Sequence, residues 1–128
     1  MMRLLIADAS EALRIGLRMI FSLDPQHITI VAEESCANAV LNSARLYRPD
    51  MIIIDGDLEG AQPVIQRIAK LPGLLALIVL TMNTDPLIKQ RMCDDGASIC
   101  IEKRASPQEL LNYVRAVVHA NLAVPLAA

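Results

Sequence analysis

Arg48-Pro49-Asp50-Met51-Ile52-Ile53-Ile54-Asp55-Gly56-Asp57 is the stretch that decides the fold. Residues 51–54 are apolar without a polar break, and the run ends abruptly on a carboxylate in an Asp-Gly-Asp turn. A strand with one wet face alternates polar and apolar residues. An unbroken run instead fits a strand covered on both faces, as in a parallel sheet sandwiched between helices. Just upstream, Ala37, Val40, Leu41 and Ala44 recur at helical spacing, and Arg48-Pro49 ends that helix because proline disfavours α geometry in the residue before it.

The same unit repeats in both directions. Apolar runs fall at residues 4–7, 28–32, 51–54, 74–80 and 99–101, and four of them are near-continuous. Between them lie amphipathic stretches. Leu13, Leu17, Ile20 and Phe21 form one stripe, with Arg14 and Arg18 facing away. Val64, Ile65, Ile68 and Leu71 form another, closed by Pro72-Gly73. Asp85-Pro86 opens a fourth helix that stops at Gly96, a left-handed C-terminal cap. Ser106-Pro107-Gln108-Glu109 is a capping box that starts a fifth helix using Leu110, Val114, Val117 and Val118, with Leu111 and Tyr113 as candidate exposed partner contacts. Right-handed crossovers turn such a series into an α/β, doubly wound five-stranded parallel sheet of flavodoxin-like (βα)5 type, with strand order 2-1-3-4-5. The domain spans residues 1–119, and residues 120–128 read as a C-terminal tail or the start of a linker.

Composition narrows the function. Length 128 suits one domain. Hydrophobic residues make up 54% and mean hydropathy is +0.41. The longest fully apolar run, residues 74–80, is nevertheless far short of the ~20 residues a spanning helix needs. Asp8 comes too early for a signal peptide's apolar core. Twelve Lys and Arg against fourteen Asp and Glu give no polyanion-binding field, and aromatics total 2%, so direct nucleic-acid binding by this segment is not expected. Cys36, Cys93 and Cys100 form no C-x-x-C pair and read as buried small hydrophobes in a reducing, cytoplasmic compartment.

Ligands of open parallel sheets bind beyond the carboxyl ends of the strands. The polar residues ending the runs are Asp8, Asp55, Thr81 and, through Glu102, Lys103. In the expected order these converge on one edge. Two carboxylates about 5 Å apart repel by roughly 3 kcal/mol at an effective dielectric of ~20. A hard divalent cation relieves that repulsion, and an all-oxygen, partly hydrated site suits Mg2+. The same cation with a fixed lysine can neutralise an incoming phosphoryl group, for which an aspartate is a competent nucleophile.

At these residues the sequence resembles the response regulator receiver domain of two-component signalling. The resemblance covers residues 3–119. It is carried by Leu4-Leu5-Ile6-Ala7-Asp8, Leu13-Arg14-Ile15-Gly16-Leu17-Arg18, residues 48–55, Ile78-Val79-Leu80-Thr81-Met82, Asp95-Gly96-Ala97 and the stretch from Lys103 to Leu110. The first helix and the Ala105-Ser106-Pro107 opening of the last look most like LuxR/NarL-type regulators. The resemblance implies that Asp55 accepts phosphate from a sensor histidine kinase, that Lys103 pairs with the phosphoryl group, and that Thr81 is the switch hydroxyl. It implies Mg2+ held by Asp8, Asp55 and the main-chain carbonyl of Asp57. It implies a signalling module rather than an enzyme, with altered pairing, including a homodimer, through the fourth helix, fifth strand and fifth helix.

Three departures stand against the family pattern. Ala9 replaces a second acid, which weakens the expected Mg2+ affinity. The loop Gly56-Asp57-Leu58-Glu59-Gly60 lacks the usual Met-Pro and is about two residues short by comparison with the family. Cys100 stands where the family has an aromatic switch residue. These keep a second reading open: a degenerate receiver acting as a phosphorylation-independent dimerisation or docking module. A third, a flavin or nucleotide binder on the same fold, would need a glycine-rich loop after the first strand. The loop here, Asp8-Ala9-Ser10-Glu11-Ala12, is acidic and has none.

Overall fold

The three central strands carry the core. In a computed structural model describing residues 1–127, β1 (Met2–Ala7), β3 (Met51–Asp55) and β4 (Ala76–Thr81) are buried throughout, apart from Arg3. β2 (Ile28–Glu34) and β5 (Ile99–Glu102) flank them and are mostly half-buried. All pairings are parallel, in the order β2-β1-β3-β4-β5. The fold is the expected one, but full burial belongs to three strands rather than four, because an edge strand has a neighbour on one side only.

Successive side chains of a strand point to opposite faces, so each central strand feeds two cores. Leu4, Ile6, Met51, Ile53, Ile78 and Leu80 face one cluster, closed by α1 (Glu11–Phe21) and α5 (Pro107–Ala127). Leu5, Ile52, Ile54, Leu77 and Val79 face the other, closed by α2 (Val40–Tyr47), α3 (Ala61–Ile68) and α4 (Pro86–Asp94). Unbroken aliphatic runs are the direct consequence. Among the described residues no helix is long and apolar enough to cross a membrane.

The caps behave as the sequence implies. Ser10, Asp85 and Ser106 side chains accept from the main-chain N–H of Leu13, Leu87 and Glu109. Arg48 closes α2 in the left-handed region at φ 48°. Gly96 follows α4 at φ 125°, and a Cβ there would lie 2.3 Å from the Ala69 Cβ.

Four local expectations change. β4 starts at Ala76 rather than Leu74, since Leu75, 47% exposed, is still on the approach, its N–H on the Asp50 carbonyl. Leu111 is 2% exposed, because α5 turns Leu110, Leu111, Val114 and Val118 together onto the sheet, with Tyr113 packed at their margin. Cys36 is exposed on the turn after β2, where its thiol donates to Asn38 Oδ1, and Cys93 and Cys100 are only half-buried. Residues from 120 on, expected as tail or linker, continue α5 to Ala127, with the Asn121 amide donating to the Val117 carbonyl.

Gly96→Ala should lower the unfolding free energy by about 2 kcal/mol, combining left-handed strain with a steric clash. Urea denaturation checks this, and an unchanged midpoint would contradict the assignment.

Candidate functional site

Register builds the site. Ala7 is paired with Ile54, so Asp8 and Asp55, one residue further along each strand, emerge side by side. Asp55 is paired with Leu80 and Thr81 with Glu102, which brings Thr81 beside Asp55 and Lys103 just past the end of β5. Asp8, Asp55 and Thr81 are 2%, 7% and 0% exposed.

Lys103 joins the carboxylates. Its Nζ lies 2.9 Å from Asp8 Oδ2 and 3.1 Å from Asp55 Oδ2. Burial by itself would lower the Lys103 pKa, but the hydrogen bonds and charges of Asp8 and Asp55 outweigh it and hold the ammonium above the usual lysine value. The remaining oxygens are taken by main-chain donors. Asp8 Oδ1 accepts from Ser10 N–H, and Asp55 Oδ1 accepts from Asp57 N–H. Asp8 therefore orders the first loop while Ser10 caps α1.

Asp57 does more than turn the chain. Its Oδ1 accepts from the Thr81 hydroxyl at 2.7 Å, and its Oδ2 accepts from Met82 N–H at 2.8 Å. Sequence reasoning had assigned only its main-chain carbonyl. The missed signal was an acid two positions beyond a strand end, free to reach the next strand's loop. Gly56 permits this turn, since a Cβ there would meet Val79 Cγ1 at 2.6 Å and Met92 Cε at 2.9 Å. Arg14 also belongs to the surroundings: it faces away from the core, but its guanidinium donates to the Asp8 carbonyl at 2.7 Å and meets Glu33 at 3.4 Å. Arg18 reaches the same Glu33 at 3.2 Å.

Asp55 and Asp57 open onto a cleft of about 960 Å³ whose wall also includes Ala9, Leu58 and Glu59. A larger cleft of about 1110 Å³ lies between α2 and α3 at the opposite end of the strands, where its carboxylate, Asp50, is engaged by Arg3 N–H. Of the four converging residues, Asp55 lines the first. Asp8 Oδ2 is buried, and the group it meets is the Lys103 ammonium at 2.9 Å. Such an oxygen beside a second carboxylate fits a hard cation. Among the described residues no three His, Cys, Asp or Glu side chains gather into a metal cluster. The Asp57 carboxylate is engaged by Thr81 and Met82, while Asp8 and Asp55 each keep one oxygen on the Lys103 ammonium.

Cys100 lies on β5 beside Val79, with its thiol against Met92 Sδ at 3.5 Å. Burial, then the neighbouring Cys93, pushes its pKa up, so at neutral pH it is a neutral packing group. Glu102 is turned to Lys89 of α4 at 3.1 Å.

Residues 4–115 match the family model of the response regulator receiver domain. The response regulator UvrY of Escherichia coli is 28% identical over 91% of this chain and 54% of its own length. A putative transcriptional regulator of Pseudomonas aeruginosa is 30% identical over 100% of this chain and 62% of its own length. The chain thus spans a little over half the length of these relatives. Among solved structures, the receiver domain of the putative response regulator NarL from Mycobacterium tuberculosis superposes with a TM-score of 0.81 at 20% identity, covering 92% of this chain and 96% of its own. The isolated receiver of RcsB from Salmonella enterica, determined with the phosphomimetic BeF3−, gives 0.82 at 24% identity, covering 91% and 87%. These two likenesses establish the fold.

The Lys103 arrangement predicts a direction for alkaline unfolding. A pKa raised in the folded state adds stability that is fully present below the unfolded value of about 10.4 and is lost as pH climbs through the higher folded value. Stability should therefore fall above about pH 10.5, and this component of the fall should vanish in Lys103→Met. Urea melts of both proteins between neutral and alkaline pH read the difference, and parallel curves would contradict it.

Proposed function

This chain belongs to the response regulator receiver domain family, and on that premise we propose that Asp55 accepts a phosphoryl group from the phosphohistidine of a sensor histidine kinase. Receiver domains are signalling modules that interact with such kinases. The observation that carries the reading is the placement of a buried aspartate at the mouth of a cleft, 3.1 Å from a lysine ammonium. An Asp55 carboxylate oxygen attacks phosphorus, the histidine N–P bond breaks, and the imidazole leaves with the electron pair and takes up a proton. Lys103 is already ion-paired with the acceptor and stays charged through the step. Its ammonium offsets charge on the phosphoryl oxygens without reorganising. Thr81, beside Asp55 in the next strand, is the hydroxyl that turns to a phosphoryl oxygen afterwards.

Receiver domains generally bind Mg2+ at the phosphorylation site. Here Asp8, Asp55 and the Asp57 carbonyl are the proposed ligands, and Mg2+ when bound supplies neutralisation of the charge that gathers on the phosphoryl oxygens. Ala9 lines the cleft where the family's second acid would stand, so affinity should be weak. The outcome is a change in the surface formed by α4, β5 and α5, through which a homodimer is the proposed pairing. The setting is cytoplasmic. Residues 1–119 form the receiver unit, and the match to residues 4–115 falls inside it.

Ala9 and the neutral Cys100 also favour a second reading, a degenerate receiver that docks or dimerises without phosphate. One experiment separates the two. Intact mass is measured after incubation with a small-molecule phosphodonor and Mg2+. The first reading predicts a gain of one phosphoryl group that is absent in Asp55→Asn and falls at least about tenfold in rate in Lys103→Met, the loss of one electrostatic stabiliser. No gain, together with a dimer indifferent to phosphodonor, would establish the second.

A further inference from the structure

We propose that the Asp57 carboxylate is a latch: it holds the Thr81 hydroxyl in the unphosphorylated protein, and that bond must break before Thr81 can bind a phosphoryl group on Asp55. The inference rests on Asp55 being the phosphoacceptor. Three observations carry it. A threonine hydroxyl has one proton, and here it lies on Asp57 Oδ1 at 2.7 Å, while its oxygen accepts from Asn83 N–H at 3.0 Å. Its single proton is committed. Second, Asp57 Oδ2 holds Met82 N–H at 2.8 Å, so one side chain pins both the switch residue and the start of the loop that leads to the Asp85 cap of α4. Third, Asp57 N–H donates to Asp55 Oδ1, which puts latch and acceptor on a single turn.

The latch opposes phosphorylation in a defined way. A phosphoryl oxygen and the Asp57 carboxylate compete for the same proton, and the bond that must be given up has a charged acceptor. The phosphoryl group also brings negative charge towards a carboxylate that cannot move away without releasing Thr81 and Met82. When it does move, the loop from Met82 to Asp85 loses its tether, and the change passes to α4. Asp57 is a positioning residue here, acting through Thr81. Its main-chain carbonyl is untouched by side-chain substitution.

The probe is BeF3− with Mg2+ held constant, its Kd read from amide NMR shifts of residues 55–57 and 81–83 in the 128-residue chain. Asp57→Ala should tighten binding about tenfold, the equivalent of one charge-assisted hydrogen bond no longer broken. It should also shift the Met82 and Asn83 amides before any probe is added. Asp57→Asn keeps one acceptor for Thr81 and should fall between Ala and wild type. In a Thr81→Val background, where no hydroxyl remains to be released, Asp57→Ala should tighten binding by at most about threefold, the remainder coming from charge and the Met82 tether. Binding by wild type that Asp57→Ala leaves equal or weaker overturns the latch, as does tightening that is as large without Thr81 as with it, which would mark a charge effect alone. Binding by Asp57→Ala but not wild type supports it. If every variant fails to bind, or Asp55→Asn binds like wild type, the phosphoacceptor reading fails and the latch falls with it.

Discussion

One ammonium holds the functional edge of this protein together. Asp8 and Asp55 leave adjacent parallel strands at the same level and are almost fully buried, so their charges cannot be screened by bulk water. Lys103 reaches both from the far side of the sheet, at 2.9 and 3.1 Å. Removing it would leave two buried carboxylates without compensation, a costly arrangement. The order β2-β1-β3-β4-β5 makes the reach possible: Lys103 follows β5, crosses the end of β4 and meets β3 and β1. Core packing fixes that register, because a one-residue slip would turn every aliphatic side chain to the wrong face.

The same constraint explains the division of labour among the loops. One oxygen each of Asp8 and Asp55 is held by an N–H group of its own turn, at Ser10 and Asp57, and the other meets the Lys103 ammonium. Asp57 adds a second layer, reaching sideways to Thr81 and Met82. Where the family uses a second acid and an aromatic switch, this chain has Ala9 on the cleft wall and Cys100 packed against Met92. On the proposed reading, fewer metal oxygens and a smaller switch side chain leave more of the work to Lys103 and to the Asp57–Thr81 contact.

Much of this was legible in the residue order. Unbroken runs such as Met51-Ile52-Ile53-Ile54 report burial on both faces, and the residue that ends each run emerges at the carboxyl edge of the sheet, so the convergence of Asp8, Asp55, Thr81 and Lys103 could be expected from the residue order. Helical stripes located the covering faces, though not their full width, which is why Leu111 was misplaced on the surface. Periodicity carries no information about where a loop side chain reaches. The Asp57 carboxylate, the Arg14 guanidinium on the Asp8 carbonyl and the exposed Cys36 all depend on paths between loops that are distant in sequence. Edge strands are partly hidden in the same way: Ile28, Ile30, Val31 and Ala32 of β2 look like the centre, although Thr29, Glu33 and Glu34 do not, and its place at the edge of the sheet leaves it half-exposed.

The most direct test of the central claim is a crystal structure of this chain grown with BeF3− and Mg2+. The account predicts beryllium on an Asp55 oxygen, the Lys103 ammonium on a fluorine and the Thr81 hydroxyl released from Asp57. An empty Asp55 carboxylate still paired with Lys103, or BeF3− on another residue, would contradict it.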